Sequence, residues 1–191
     1  MIRFLKKLCV LIFTGVLLAA FAYCVVLPRV LPLKYQPLIE HYAECYGLEI
    51  TLVNAVIFCE SRFEPDAVSS AGALGLMQIT PETGRWAAKQ MGFDADSIDL
   101  LMPEENIRIG CWYLSWLLEK FDGITETALA GYNAGQGNVE KWLADTEMSK
   151  DGITLEEIPY EETKGYVRKV QLAEKLYRYL YHLPFERIGM I

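Results

Sequence analysis

Glu60 is the residue with the clearest potential for chemistry. It closes the apolar run Val56-Ile57-Phe58 and precedes "SRFEPDAVSSAGALGLMQITPET", a stretch of small residues, glycines, hydroxyls and an amide. A carboxylate in apolar surroundings is disfavoured in its charged form, and a place at the negative end of a helix acts in the same direction. Both raise its pKa toward the range where a general acid works near neutral pH. The plain alternative is an exposed helix-end glutamate, and the segment that follows argues against it. Gly72 and Gly75 permit unusual backbone angles and close approach of a ligand. Ser69, Ser70 and Gln78 can hydrogen-bond a polar substrate. The spacing fits neither GxGxxG nor GxxxxGK[ST], so this is not a phosphate loop. Glu64 and Asp66 are nearby acids that a two-carboxylate mechanism would need to recruit.

Other chemistries find less support. Of five cysteines, Cys9 and Cys24 fall in an apolar N-terminal run, leaving Cys45, Cys59 and Cys111, without CxxC or His-paired spacing. They read as buried apolar thiols, with one bridge open, and not as a zinc site. His41 and His182 join no nucleophilic triad.

The elements that must position Glu60 are helical almost throughout. Pro37 to Tyr46 fits a helix stopped by Gly47. Thr51 is a plausible N-cap for a helix reaching Glu60, with Val53, Val56 and Ile57 inward. Thr80-Pro81 reads as N-cap and first helical residue of a helix to about Met91. "PEENIRIGCWYLSWLLEKFDG" opens on Pro103 and closes at Gly123, with Ile107, Cys111, Leu114, Leu117, Leu118 and Phe121 at helical steps. Trp112 and Trp116, four apart, read as core. "TETALAGYNAG" is a short helix entering a glycine turn, and Asn138 to Leu143 another. Residues 163 to 181 carry Tyr166, Val170, Ala173, Tyr177 and Leu180 on one stripe. The expected fold class is all-α, or mainly α.

Three segments together resemble a known family. Glu60-Ser61-x-Phe63, Ser69, Gly72-Ala73-x-Gly75-Leu76-Met77-Gln78, Pro81 and Thr83 form the first. "ALAGYNAGQGNV" (128–139) is the second, and "IPYEETKGYVRKV" (158–170) the third. In this order they resemble the motif set of the soluble lytic transglycosylase (SLT) family of peptidoglycan enzymes. The resemblance implies a lysozyme-like domain over residues 38–185. It implies cleavage of the β-1,4 bond between N-acetylmuramic acid and N-acetylglucosamine without water, the muramyl 6-hydroxyl closing a 1,6-anhydro ring. By position it makes Glu60 the acid/base and places Ser69, Met77 and Gln78 along the groove. Tyr132 would contact the muramyl unit, and Glu162 would hold the glycan or orient the centre. Asn133 and Tyr166 match motif positions. Local alternatives stand beside these roles: Tyr132 as packing, Ser69 as a turn cap, Glu162 as a helix cap, Asn133 as the organiser of the glycine turn. No cofactor or metal is implied. A muramidase acting on the same bond, and a non-catalytic glycan-binding scaffold, are the alternative functions.

The chain has 191 residues, 52% hydrophobic and 23% charged, ample for a packed core. Residues 1–30 carry Arg3, Lys6, Lys7 and Arg29 and no acid, a charge of +4, so a total of −7 leaves −11 on the remainder. That acidic remainder disfavours nucleic acid as a partner. Residues 1–7 read as a basic cytoplasmic stub, and Leu8–Leu27, free of charge, as a single transmembrane signal-anchor that puts the domain outside the cytoplasmic membrane. Cleavage near Ala22, at the A-x-A pattern before Tyr23, is the alternative, which would give a secreted protein. Residues 28–37, with three prolines, read as a short stiff linker. The expected partners are peptidoglycan glycan strands and the membrane, with cell-wall machinery proteins unidentified.

Overall fold

The computed structural model describes residues 2–21 and 27–181. It divides into two units, residues 1–34 and 35–191. The first holds α1 (Ile2–Phe21) and α2 (Leu27–Val30). Arg3, Lys6 and Lys7 lie in the first two turns of α1, and Leu11, Phe13, Val16, Leu17 and Phe21 are exposed on it. Among the described residues no helix is long and apolar enough to cross a membrane. The expected span overlaps α1 only as far as Phe21. Residues 22–26, with the cleavage pattern at Ala22 and with Cys24, lie outside the described residues, as do His182 and residues 183–185. The expected linker contains a turn of helix, α2, where Pro28 sits in the first turn and its missing N–H costs nothing.

The second unit is helical: α3 (Gln36–Cys45), α4 (Ile50–Ser61), α5 (Pro81–Gln90), α6 (Pro103–Lys120), α7 (Thr125–Ala134), α8 (Gln136–Leu143) and α9 (Glu161–Tyr181). Its other regular pairing among the described residues is two isolated antiparallel bridges, Val68 with Leu74 and Leu74 with Ile79. The centre is α4, in which every residue from Thr51 to Ile57 is buried. A helix apolar all round is one enclosed on all sides, and α9, α3 and neighbouring segments enclose this one. That enclosure corrects the expected start. Glu49, with extended backbone, occupies the N-cap position without a side-chain bond, and Thr51 lies inside the first turn, its buried Oγ1 unpaired. Packing, not capping, sets where α4 begins.

Elsewhere local signals hold. Thr80 caps α5, its Oγ1 accepting from the Thr83 N–H at 3.2 Å, with Pro81 next. On α9 the residues Tyr166, Val170, Ala173, Tyr177 and Leu180 are all buried. A polar cluster pins the two ends of the unit together. Asn54 Nδ2 donates to the Tyr181 hydroxyl at 3.2 Å, Gln36 Nε2 donates to Asn54 Oδ1 at 2.9 Å, and the Tyr181 hydroxyl donates to Gln36 Oε1. Such a buried network is favourable only when its members are satisfied, as these are.

Candidate active site

Glu60 stands in the last turn of α4 and is half-buried. Removal from water pushes its pKa from 4.5 up to about 7, and the Tyr166 hydroxyl on α9 pulls partly the other way. That hydroxyl is buried, and no partner meets full hydrogen-bond geometry with it. Its interaction with the Glu60 carboxylate is electrostatic in the main. Burial and the Glu60 charge together hold the hydroxyls of Tyr166 and Tyr132 well above the usual phenol range, so both stay protonated donors.

The chain reverses directly after Glu60. Arg62 and Phe63 have positive φ, 53° and 64°, unusual for side chains of this size. The turn drops Phe63 into the core beside Tyr177, with ring centroids 6.5 Å apart. This stretch is strained in the way functional turns often are. Ser61 Oγ then donates to the Leu76 carbonyl at 2.8 Å, tying the end of α4 to the following loop.

That loop hangs on Asn106, a fully buried residue of α6. Its Oδ1 accepts from the Met77 N–H at 2.7 Å, and its Nδ2 donates to the carbonyls of Leu74 and Leu100 at 2.9 and 2.8 Å. Gly75 passes so close that a Cβ there would lie 2.4 Å from Asn106 Nδ2 and from the Leu100 oxygen. Gly75 therefore serves the approach of loop to peg. The sequence reading missed Asn106. The available signal was an amide at a core-facing position of an amphipathic helix.

The loop residues expected along the groove are differently engaged. Met77 departs most: its side chain is fully buried, so near Gly110 that a Cβ on that glycine would lie 2.4 Å from Met77 Sδ. What Met77 offers the site is its backbone, whose carbonyl accepts from the Tyr132 hydroxyl at 2.8 Å. Ser69 is half-buried, and its Oγ accepts from the Ala73 N–H at 3.0 Å, so it organises the turn. Gln78, at φ 48°, spends its amide N–H groups on the carbonyls of Ala67 and Gly75 at 3.1 and 2.9 Å. Its carbonyl oxygen remains for a ligand. Glu64 and Asp66 are exposed.

The other two motifs meet across α7 and α9. Thr163 Oγ1 donates to Asn133 Oδ1 at 2.7 Å, so Asn133 joins two helices, and the glycine turn is held instead by Asn138 Nδ2 on the Ala134 carbonyl at 2.8 Å. Tyr132 is half-buried, with its hydroxyl on the Met77 carbonyl and its ring 5.4 Å from that of Tyr113. Glu162 is exposed in the first turn of α9, inside the helix and not at its cap. An acid there favours the helix dipole.

Trp112 and Trp116 are not core residues. Both are half-buried and pack with Trp86 of α5 in an aromatic cluster. Of the three domain cysteines, all free, Cys111 is buried as expected, Cys59 is half-buried and Cys45 is exposed. Cys45 sits in the last turn of α3, and the apolar-thiol expectation fails there.

A half-buried acid, two tyrosine hydroxyls kept protonated by burial, and a loop clamped by Asn106 come together at the end of α4. Residues 37–154 match the family model described as "Transglycosylase SLT domain". The chain belongs to this family. It is 36% identical over 151 residues to the soluble lytic murein transglycosylase of Escherichia coli (strain K12), an alignment covering 78% of this chain and 23% of that protein. It is 34% identical over 169 residues to membrane-bound lytic murein transglycosylase C of Actinobacillus pleuropneumoniae serotype 5b (strain L20), covering 77% of this chain and 46% of that one. Its fold is similar to an inactive mutant of the lytic transglycosylase Slt from Pseudomonas aeruginosa, with TM-score 0.69, 33% identity, and 79% and 25% of the two chains covered. The SLT chain thus spans about a quarter to a half of the length of these relatives. The SLT domain is mainly helical, as the periodicity of the sequence implies, and lysozyme-like, as the resemblance of its motifs implies.

Proposed function

We propose that this SLT protein is a peptidoglycan lytic transglycosylase that cleaves the β-1,4 bond between N-acetylmuramic acid and N-acetylglucosamine without water, leaving 1,6-anhydro ends. The observation that carries the reading is Glu60, a half-buried acid with a pKa near 7, faced by Tyr166 and Tyr132. Protonated, it donates to the glycosidic oxygen as the C1–O4 bond breaks. Ionised, it takes the proton of the muramyl 6-hydroxyl as the C1–O6 bond forms. Each cycle returns the proton to Glu60, so one group near pKa 7 serves as acid and then base. Most glycosidases use two carboxylates, the second to activate water or attack carbon. Here the nucleophile belongs to the substrate and is held close by its own ring, so no water needs activation. Gln78 and Tyr132 are the groups best placed to bind the sugars, with Ser69 and Met77 shaping the loop and Glu162 available to the glycan at the mouth of α9.

The relatives support the substrate class through their names, murein transglycosylases, one of them membrane-bound. The uncharged run Leu8–Leu27 behind Arg3, Lys6 and Lys7 supports a single-pass anchor with the domain on the extracytoplasmic side. The test is release of soluble muropeptides from purified peptidoglycan by the full chain in detergent, beside Glu60→Gln. The reading requires at least a thousandfold loss in the variant with glycan binding retained. Equal release by the two proteins removes Glu60 from the chemistry.

A further inference from the structure

A second apolar stripe runs along α9, beside the buried one. Leu172, Leu176 and Tyr179, at steps of four and three, are 62%, 42% and 74% exposed. A helix face with this pattern is one that packs against a partner. Leu172 and Leu176 also line a depression of about 320 Å³ that the proposed reaction does not use. Its other lining includes Lys169 of α9 and, at the end of α4, Phe58, Cys59 and Arg62. The Arg62 guanidinium lies 5.9 Å from the centre of the Phe58 ring. Both cations act on the Cys59 thiol, and neither has a carboxylate partner among the described residues. The depression is thus apolar in its walls and positive in its charge.

The chain itself supplies a segment of matching chemistry. Residues 182–191, "HLPFERIGMI", follow α9 and lie outside the described residues. They carry Leu183, Phe185, Ile188, Met190 and Ile191, with one acid, Glu186, next to the aromatic. The point from which they start is fixed. Tyr181 is held by Asn54 and Gln36 in the first half of α4 and at the start of α3, whereas the depression lies at the far end of α4. A segment leaving Tyr181 therefore reaches the depression by turning back along α9. Pro184 opposes a further turn of helix and so favours that reversal. Leu176 lies about 8 Å back along α9 from Tyr181. Phe185 can be carried about 13 Å from Tyr181, which leaves slack for the turn. The whole segment spans up to about 33 Å, enough to pass Leu172 and Lys169.

We propose that residues 182–191 double back along α9 as a strap, with Phe185 seated in the depression against Phe58, Leu172 and Leu176, and Glu186 facing Arg62 and Lys169. Because it is tethered to α9, the segment meets the depression at a high effective concentration, an advantage that a second copy of the chain lacks. Cys59 and Arg62 flank Glu60 in the sequence. The strap therefore closes over the last turn of α4 and steadies the backbone that carries the acid. The inference concerns packing and does not depend on the glycan reading.

The domain's own cysteines test it. The full chain in detergent is labelled with a maleimide, and the rate at each cysteine is followed by peptide mass spectrometry. Cys59 lines the depression and reports the strap, exposed Cys45 serves as the internal standard, and buried Cys111 reports that the fold is intact. Phe185→Ser should raise the Cys59 rate about tenfold by undocking the strap, with the Cys45 rate unchanged and Cys111 unreactive. Leu172→Ser, on the opposite side of the same contact, should do likewise, and the two substitutions together should add little to either alone. Glu186→Lys should raise the Cys59 rate severalfold, and it decides the matter if Phe185→Ser also exposes Cys111. A Cys59 rate unmoved by Phe185→Ser and Glu186→Lys overturns the strap. Protection of Cys59 that rises with protein concentration also overturns it, and gives the depression to a second copy of the chain.

Discussion

Replacing Glu60 by Gln should stabilise the protein, and only at the pH where the glutamate is charged. In the folded state Glu60 keeps its proton to about pH 7, whereas its ordinary value is 4.5. Between these values the folded state binds more protons than the unfolded state. Stability therefore falls as pH rises through that interval and is constant on either side. The full displacement corresponds to about 3 kcal/mol, an upper bound, because water reaches the carboxylate from the groove. Glutamine keeps the shape and has no charge to bury. The variant should match the parent below pH 4 and exceed it by up to about 3 kcal/mol above pH 7.5. For a chain of this size that is a Tm difference of up to about 10 °C. Urea titrations of both proteins at half-unit pH steps from 3.5 to 8.5 would measure it. A difference that is the same at pH 4 and pH 8, or a parent that gains stability over the variant as pH rises, would refute the claim that Glu60 is held in a desolvated site.

The same acid sets the pH profile of activity. The protonated form starts the reaction, so kcat/KM should be flat at low pH and fall tenfold per unit above about pH 7, and a bell shape would indicate a second essential carboxylate. Asn106→Ala should cost at least about 3 kcal/mol, since the Met77 N–H and the Leu74 and Leu100 carbonyls lose their buried partner. Activity should fall with it even at temperatures where the variant is folded, which chemical denaturation and a turnover assay together would reveal. Gly75→Ala forces a Cβ to within 2.4 Å of two polar atoms at φ 72°, and a loss above about 3 kcal/mol is expected. Thiol labelling of the native protein should modify Cys45 rapidly, Cys59 slowly, and Cys111 only after unfolding, because burial pushes the Cys59 thiol up to about 11 and Cys111 higher still.

What could be read from sequence was whatever is encoded locally. The stripe on α9 and the Thr80-Pro81 start of α5 are written in residues a few positions apart, and the structure follows them. The partial burial and raised pKa of Glu60 were legible because the apolar run before it carries the end of α4 into the core. The start of α4 was not, because Thr51 offers a good cap only to a helix with a free end, and α4 is enclosed from Thr51 to Ile57. The full burial of Met77 and the part played by Asn106 were out of reach for one reason. Their roles exist only where α6 meets the loop, 29 residues apart in the chain, with Met77 buried over Gly110 and Asn106 gripping three backbone groups. Trp112 and Trp116 have core spacing, but Trp86 meets them from another helix and the cluster stays partly open.

The central claim, one acid and no water, is tested most directly by digesting purified peptidoglycan with the full chain in ¹⁸O-enriched water and weighing the muropeptides by mass spectrometry. The account predicts 1,6-anhydro ends, lighter than hydrolysed ends by one water and free of ¹⁸O. Reducing ends carrying ¹⁸O would contradict it and make the protein a muramidase.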